Sequence, residues 1–199
     1  DKFIYCCFNT HQKITPSIFK IWCEILEKNP ESILWLLENN EFSTKNIFHE
    51  AFKRGIDTKR IFFAKKVKIE DHLARLQFAD LFLDTFPYTA HTTCSDALRV
   101  GTPILTRTGR TFPSRVAASL LKTSGLEELI TNTEEEYIKK AILIARDSKY
   151  LRKLKKKVLD SKNKKPLFNN NLFTKNLEKA FKEIYKRKIE NLEPDHIYL

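Results

Sequence analysis

Glycine is scarce in this chain of 199 residues: only Gly55, Gly101, Gly109 and Gly125 occur. No G-x-G-x-x-G and no G-x-x-x-x-G-K-[ST] can be assembled from them, which excludes the two glycine-rich loops that wrap phosphates with backbone alone. A nucleotide bound here has to be held by helix starts and side chains. Methionine is absent, and lysine, asparagine and isoleucine are abundant, so part of the net charge of +11 reflects biased composition. The remainder suits an anionic partner: a phosphate-bearing small molecule, nucleic acid or acidic lipid. Cys6, Cys7, Cys23 and Cys94 form no C-x-x-C pair and no Cys/His set with zinc spacing. They read as buried free thiols, in keeping with a reducing cytoplasm. No apolar run approaches the roughly 18–20 residues of a membrane-spanning helix. The opening DKFIYCCFN is too short and too polar for a secretory signal and reads as a strand cut close to its start, hence as a piece of a longer chain. There is no G-x-S-x-G elbow, no H-E-x-x-H helix, no acid–base carboxylate pair and no repeat of the helical-hairpin kind. No catalytic set is complete.

What is present is an alternation of apolar runs and helical patterns, in a length that suits one domain with a substantial core. KFIYCCF, SILWLLE, RIFFA, ADLFLD, TPILT and a short ELI read as strands. Between them lie helical stretches: one opened by Thr15-Pro16, one over 43–54 stopped by Gly55, one over 70–77, one over 93–99 ended by Gly101, and PSRVAASLLKT. From 133 onward the pattern is helical throughout, over 133–146, 148–161 and 171–190. Strands separated by helices predict a doubly wound, Rossmann-like α/β domain with a parallel sheet, and continuous apolar strands predict that both faces are covered. Ligands of such folds bind beyond the carboxyl ends of the strands, so function is to be sought in the strand-to-helix loops.

The loop after ADLFLD is the richest, ending in His91, Thr92 and Thr93, with Asp96 one turn on. Thr93 and Asp96 have the T-x-x-D spacing of a capping-box variant. The unpaired N–H groups of a first helical turn attract anions, two hydroxyls add donors, and His91 can donate as well. Asp96 is placed to accept from ribose hydroxyls. The loop after the first strand offers Asn9, Thr10, His11 and Lys13, the lysine as a point charge for phosphate. The loop after RIFFA carries Lys65, Lys66 and Lys68, then His72 and Arg75 three residues apart on one helical face. The segment KYLRKLKKKVLDSKNKK is very basic, with Leu151, Leu154 and Val158 at helical spacing. It reads as a helix with one packed and one solvated face, and nucleic-acid binding would need aromatic platforms that are not evident.

LDTFPYTAHTTCSDAL, followed by GTPILT and SRVAASLL, resembles the C-terminal catalytic lobe of the O-linked N-acetylglucosamine transferase family. The likeness runs from FNTHQKITPSIFKIWCEIL through SILWLL, RIFFA and EDHLARLQFAD to KKPLFNN and PDHIY, nearly the whole chain. The resemblance implies a GT-B architecture of two Rossmann-like lobes with the active site between them. It divides this chain into a nucleotide-sugar-binding lobe over 1–165 and a helical tail over 166–199 that packs back on the GT-B fold.

The family further implies a UDP-sugar donor, usually UDP-N-acetylglucosamine, held without a metal or other cofactor, and inverting transfer to Ser or Thr hydroxyls of an acceptor protein. Carried over residue by residue, Lys13 and His91 stabilise the departing diphosphate. Thr92 and Thr93 hold phosphates at the helix start, Asp96 binds ribose, and His72 and Arg75 lie along the uridine site, with Asn9, Thr10 and Lys68 beside them. Two positions depart from the family pattern: Thr10 stands where an amide is common, and Ile69, next to Lys68, stands where animal members carry a lysine. HTT and SRVAAS favour the N-acetylglucosaminyl branch over the fucosyl branch. The resemblance also implies an N-terminal catalytic lobe, and possibly tetratricopeptide repeats, outside this chain. A fragment of this kind is expected to bind UDP weakly, to transfer nothing alone, to have no membrane span and to bind no nucleic acid. Related donors (UDP-glucose, GDP-fucose) and a basic nucleic-acid module are the alternatives.

Overall fold

A computed structural model describes residues 2–198. Among them six strands form one parallel sheet: β1 (Phe3–Cys7), β2 (Ser32–Leu37), β3 (Ile61–Ala64), β4 (Leu81–Leu83), β5 (Ile104–Arg107) and β6 (Ile130–Thr131), in the order β3-β2-β1-β4-β5-β6. The register runs Tyr5 to Leu34 and Leu81, and Phe82 to Ile104. The chain therefore winds outward from β1 in one direction, crosses back, and winds outward from β4 in the other. The loops after β1 and β4 diverge at that reversal, leaving the crevice where doubly wound folds bind ligands.

The helices are α1 (Pro16–Lys28), α2 (Glu41–Lys53), α3 (Ile69–Leu76), α4 (Thr92–Val100), α5 (Val116–Thr123), α6 (Glu134–Arg146), α7 (Ser148–Lys164) and α8 (Asn170–Ile189). Local chemistry explains their ends. Thr15 caps α1 by accepting from the Ile18 N–H at 3.4 Å, with Pro16 at the first position. Thr133 caps α6 by accepting from the Glu136 N–H, while the Glu136 carboxylate takes the Asn132 N–H, a reciprocal cap. α4 stops at Gly101, whose φ of 90° a side chain would oppose and whose Cβ would meet Leu159.

The predicted ELI strand is displaced. Glu127–Leu129 form a 3-10 turn and the strand is Ile130–Thr131, because the Arg107 rung of β5 meets Thr131. In PSRVAASLLKT the first residues likewise belong to a 3-10 turn, and α5 starts at Val116. The helical cover thins at the β3 edge, where Phe62 is exposed.

The core lies on both sides of the central strands. Tyr5, Cys6 and Cys7 are fully buried, the neighbouring cysteines pointing to opposite faces, and all four cysteines are free and buried. Burial pushes the thiols of Cys6, Cys7 and Cys94 up, so they act as small apolar side chains. α7 buries Leu154 and Val158, and two of its lysines form ion pairs with other segments, Lys155 with Asp80 at 2.8 Å and Lys157 with Glu128 at 2.6 Å. Leu167 and Phe168 still touch the core, but α8 buries none of its residues. Among the described residues no helix is long and apolar enough to cross a membrane.

Candidate functional site

The crevice at the chain reversal is built around Asp84, the last residue of the ADLFLD run. Asp84 is fully buried, 0% exposed. One carboxylate oxygen accepts from the backbone N–H of Thr85 at 2.8 Å, the N–H of Ala90 at 2.7 Å and the Asn9 side-chain amide at 3.2 Å. The other accepts from the Thr106 hydroxyl at 2.6 Å. Four donors from the loops after β1 and β4 and from β5 thus converge on one side chain. Burial raises the carboxyl to about 6, the hydrogen bonds opposing the rise. The Tyr137 hydroxyl donates to the Asp84 carbonyl at 3.0 Å from α6.

Asn9 extends the network. It is 2% exposed, and its amide donates to the Thr85 hydroxyl at 2.8 Å while its carbonyl accepts from the Thr93 hydroxyl. This corrects the capping-box reading of Thr93 and Asp96. α4 begins at Thr92 with His91 at the cap position and no side-chain cap bond. Thr93 lies inside the helix with its hydroxyl committed to Asn9, and Asp96 faces His72 and Arg99 instead of the helix start. The first-turn N–H groups of α4 are therefore not covered by a protein side chain, the arrangement that favours an anion. Thr92 is exposed beside them.

Lys13 approaches from the loop after β1. Its ammonium donates to the Thr89 carbonyl at 2.9 Å and lies 3.9 Å from the Tyr88 ring centroid. Burial lowers its pKa, and the Asp84 charge partly restores it. The His91 ring packs 5.1 Å from the Tyr88 ring and 6.2 Å from Phe112. Lys13, His91 and the α4 start thus gather on one side of the crevice.

On the other side, Arg75 donates to His72 Nδ1 at 2.8 Å and lies 4.9 Å over the Phe8 ring, with the His72 ring 5.4 Å from Phe8. Burial first and then the Arg75 charge lower His72, while Asp96 opposes. Burial raises Asp96, against His72 and Arg99. The result is a neutral imidazole whose Nε2–H remains free to donate, next to a half-buried carboxylate.

Two expected residues stand apart from these clusters. Thr10 is exposed and makes no cap bond, its carbonyl accepting from the Lys13 N–H at 3.0 Å. Lys68 is exposed at the cap position of α3 without capping it. His11, read as part of the loop's offering, turns inward: it is bonded to the Leu37 carbonyl and the Ser43 hydroxyl, with burial lowering its pKa, so it joins α2 to β2. Asp84 and Tyr88 were given no role by sequence. The available signal was an acidic residue closing an otherwise apolar strand run.

The geometry has counterparts. Residues 1–177 match the model of glycosyl transferase family 41. The chain is 35% identical over 197 residues to the UDP-N-acetylglucosamine–peptide N-acetylglucosaminyltransferase of Caenorhabditis elegans, covering 99% of this chain and 17% of that protein. It is 34% identical to the probable enzyme of that name, SEC, of Arabidopsis thaliana, covering 98% of this chain and 20% of that protein. The solved structure of a Thermobaculum terrenum O-GlcNAc transferase mutant superposes with a TM-score of 0.90 at 28% identity, over 96% of this chain and 37% of that one. The chain thus spans about a fifth of the curated relatives' length, and its fold is that of a Rossmann-like lobe of a GT-B glycosyltransferase. On the family match, the chain belongs to glycosyl transferase family 41.

Proposed function

We propose that this lobe binds the nucleotide of a UDP-sugar, by preference UDP-N-acetylglucosamine, for inverting transfer to Ser or Thr hydroxyls of an acceptor protein. The observation that carries the reading is the convergence of Lys13, His91 and the side-chain-uncapped start of α4 on one crevice at the chain reversal. The names of the C. elegans and Arabidopsis relatives supply the donor and the peptide acceptor. As the sugar's anomeric carbon moves to the acceptor oxygen, the bonding pair of the broken C–O bond passes to the β-phosphate, and negative charge grows there. Fixed donors aimed at that charge lower the barrier. Lys13, the Thr92 hydroxyl, the Thr93 backbone N–H, His91 and the α4 dipole supply them without a metal or other cofactor. Asp96 accepts from the ribose. His72, kept neutral by burial and by Arg75, offers its Nε2–H to a uracil carbonyl, with Arg75 on Phe8 as the flanking wall.

The acceptor side, the acid–base group and any tetratricopeptide repeats belong to parts of the protein outside this chain, and the working compartment is the cytoplasm. α8 carries Phe173, Leu177, Phe181, Ile184 and Ile189 exposed, 60% for Phe181, and this unpartnered apolar face is read as the tail's contact with the N-terminal catalytic lobe. Leu167 and Phe168 hold the tail to this lobe, and α8 would then pack back on the complete GT-B fold. With two of its lysines ion-paired to other segments and its apolar face buried, α7 is read as structural, with nucleic acid no partner.

Titration calorimetry with UDP and GDP tests the reading. UDP binds, GDP binds at least tenfold more weakly, and Lys13→Ala weakens UDP by roughly 10- to 150-fold, as loss of a charge-assisted phosphate bond of about 1.5–3 kcal/mol implies. Binding of GDP with UDP ignored would overturn the donor assignment.

A further inference from the structure

Tyr88 is a large aromatic side chain on the phosphate side of the crevice, in direct contact with Lys13, and has no assigned part in it. The residue is 48% exposed, yet its place is fixed. The Thr85 hydroxyl donates to the Tyr88 carbonyl at 2.7 Å, and Thr85 is itself held by Asn9 and Asp84. From the β1 side Lys13 places its ammonium 3.9 Å from the ring centroid while donating to the adjacent Thr89 carbonyl at 2.9 Å. No carboxylate among the described residues forms an ion pair with Lys13.

The distinction between a ring and a carboxylate matters for a lysine that must meet an anion. A carboxylate partner would hold Lys13 and cancel its charge. An aromatic face attracts the ammonium through its quadrupole and leaves the charge in place. An ammonium has three donors. Thr89 takes one and the ring takes a face, so a donor remains for phosphate. A lysine already held also loses less rotamer freedom on binding than one that sweeps through solvent.

Resting on the diphosphate role given above to Lys13, we propose that Tyr88 is a positioning residue for this lysine. Its ring and the Thr89 carbonyl together preset the ammonium toward the start of α4, so that the diphosphate meets an ordered cation. Tyr88 acts through Lys13, and its phenol hydroxyl has no part in the effect.

The test is a set of variants in the full chain, Tyr88→Phe, Tyr88→Leu, Lys13→Ala and the double Tyr88→Leu/Lys13→Ala, titrated with UDP and with uridine at low salt. Tyr88→Phe binds UDP as the parent does, since the ring remains. Tyr88→Leu weakens UDP roughly fivefold, the scale of a partly exposed cation–π contact, and leaves uridine affinity unchanged. In the Lys13→Ala background Tyr88→Leu has no further effect. Parent-like UDP binding by Tyr88→Leu overturns the proposal, as does an undiminished effect without Lys13 or an equal loss for uridine. If Lys13→Ala alone leaves UDP binding intact, the diphosphate reading itself falls and the proposal with it, a result distinct from failure of Tyr88→Leu.

Discussion

Replacing Asp84 separates its two properties, a shared acceptor and a buried charge. Asp84→Asn keeps an oxygen for the Thr85 and Ala90 N–H groups, and its new amide can donate to the Thr106 hydroxyl, which accepts as readily as it donates. Asp84→Ala leaves both backbone amides without that oxygen. At about 1–3 kcal/mol for each orphaned buried donor, Asp84→Ala is expected to be about 2–6 kcal/mol less stable than Asp84→Asn, a comparison free of ionisation because neither variant titrates. That is a large share of a typical stability of about 5–15 kcal/mol.

The charge appears in the comparison of the parent with Asp84→Asn. Burial lifts the carboxyl from its ordinary 3.8 to about 6, so between those values the folded chain holds a proton that the unfolded chain has released. A raised folded pKa means that this group's contribution is fully present below the unfolded value and is lost as pH rises through the folded one. The whole change is about 3 kcal/mol, of which about 1 kcal/mol falls between pH 5 and pH 7. Urea unfolding followed by circular dichroism, at steps of pH, measures it. The stability of the parent minus that of Asp84→Asn should fall steadily as pH rises across this window. A flat difference would show that Asp84 ionises as an exposed carboxyl does. Equal stability of Asp84→Ala and Asp84→Asn would show that the loop is anchored by something else.

Two further outcomes follow from the same geometry. Thr93→Ala removes the hydroxyl that the buried Asn9 carbonyl accepts from, and is expected to cost about 1 kcal/mol in thermal stability while weakening UDP binding; Thr93→Ser restores most of both. Ending the chain after Asn169 removes α8, which buries none of its residues in this lobe, so the unfolding midpoint should move by no more than a few degrees while binding of a hydrophobic dye drops sharply. A midpoint fall of ten degrees or more would show that α8 packs on this lobe in solution.

Much of the fold was legible along the chain, because its signals are local. Apolar runs of strand length, the Thr15-Pro16 helix start, and Gly101 where a helix needs a positive φ depend on nearest neighbours alone. The absence of glycine-rich loops pointed to a helix start as the phosphate holder, and the α4 start is where Lys13 and His91 gather. The misread features share a cause. The Thr93 hydroxyl was expected to cap its own helix, but it goes to Asn9, 84 positions earlier. His11 was counted with the open loop, but Leu37 and Ser43 draw it inward. In each case a polar group had a local partner available and a better one across the fold. Asp84 shows this most fully. By itself it is a carboxylate at the end of a strand, as fit for water as for burial. Only the strand order, which sets β1 on one side of β4 and β5 on the other, brings Asn9 and Thr106 to it and closes it from solvent. Sequence pointed to the loop after β4 and the start of α4 as the candidate phosphate site; tertiary structure decided which side chain holds that loop together, because burial and long-range hydrogen bonding are properties of the packed sheet.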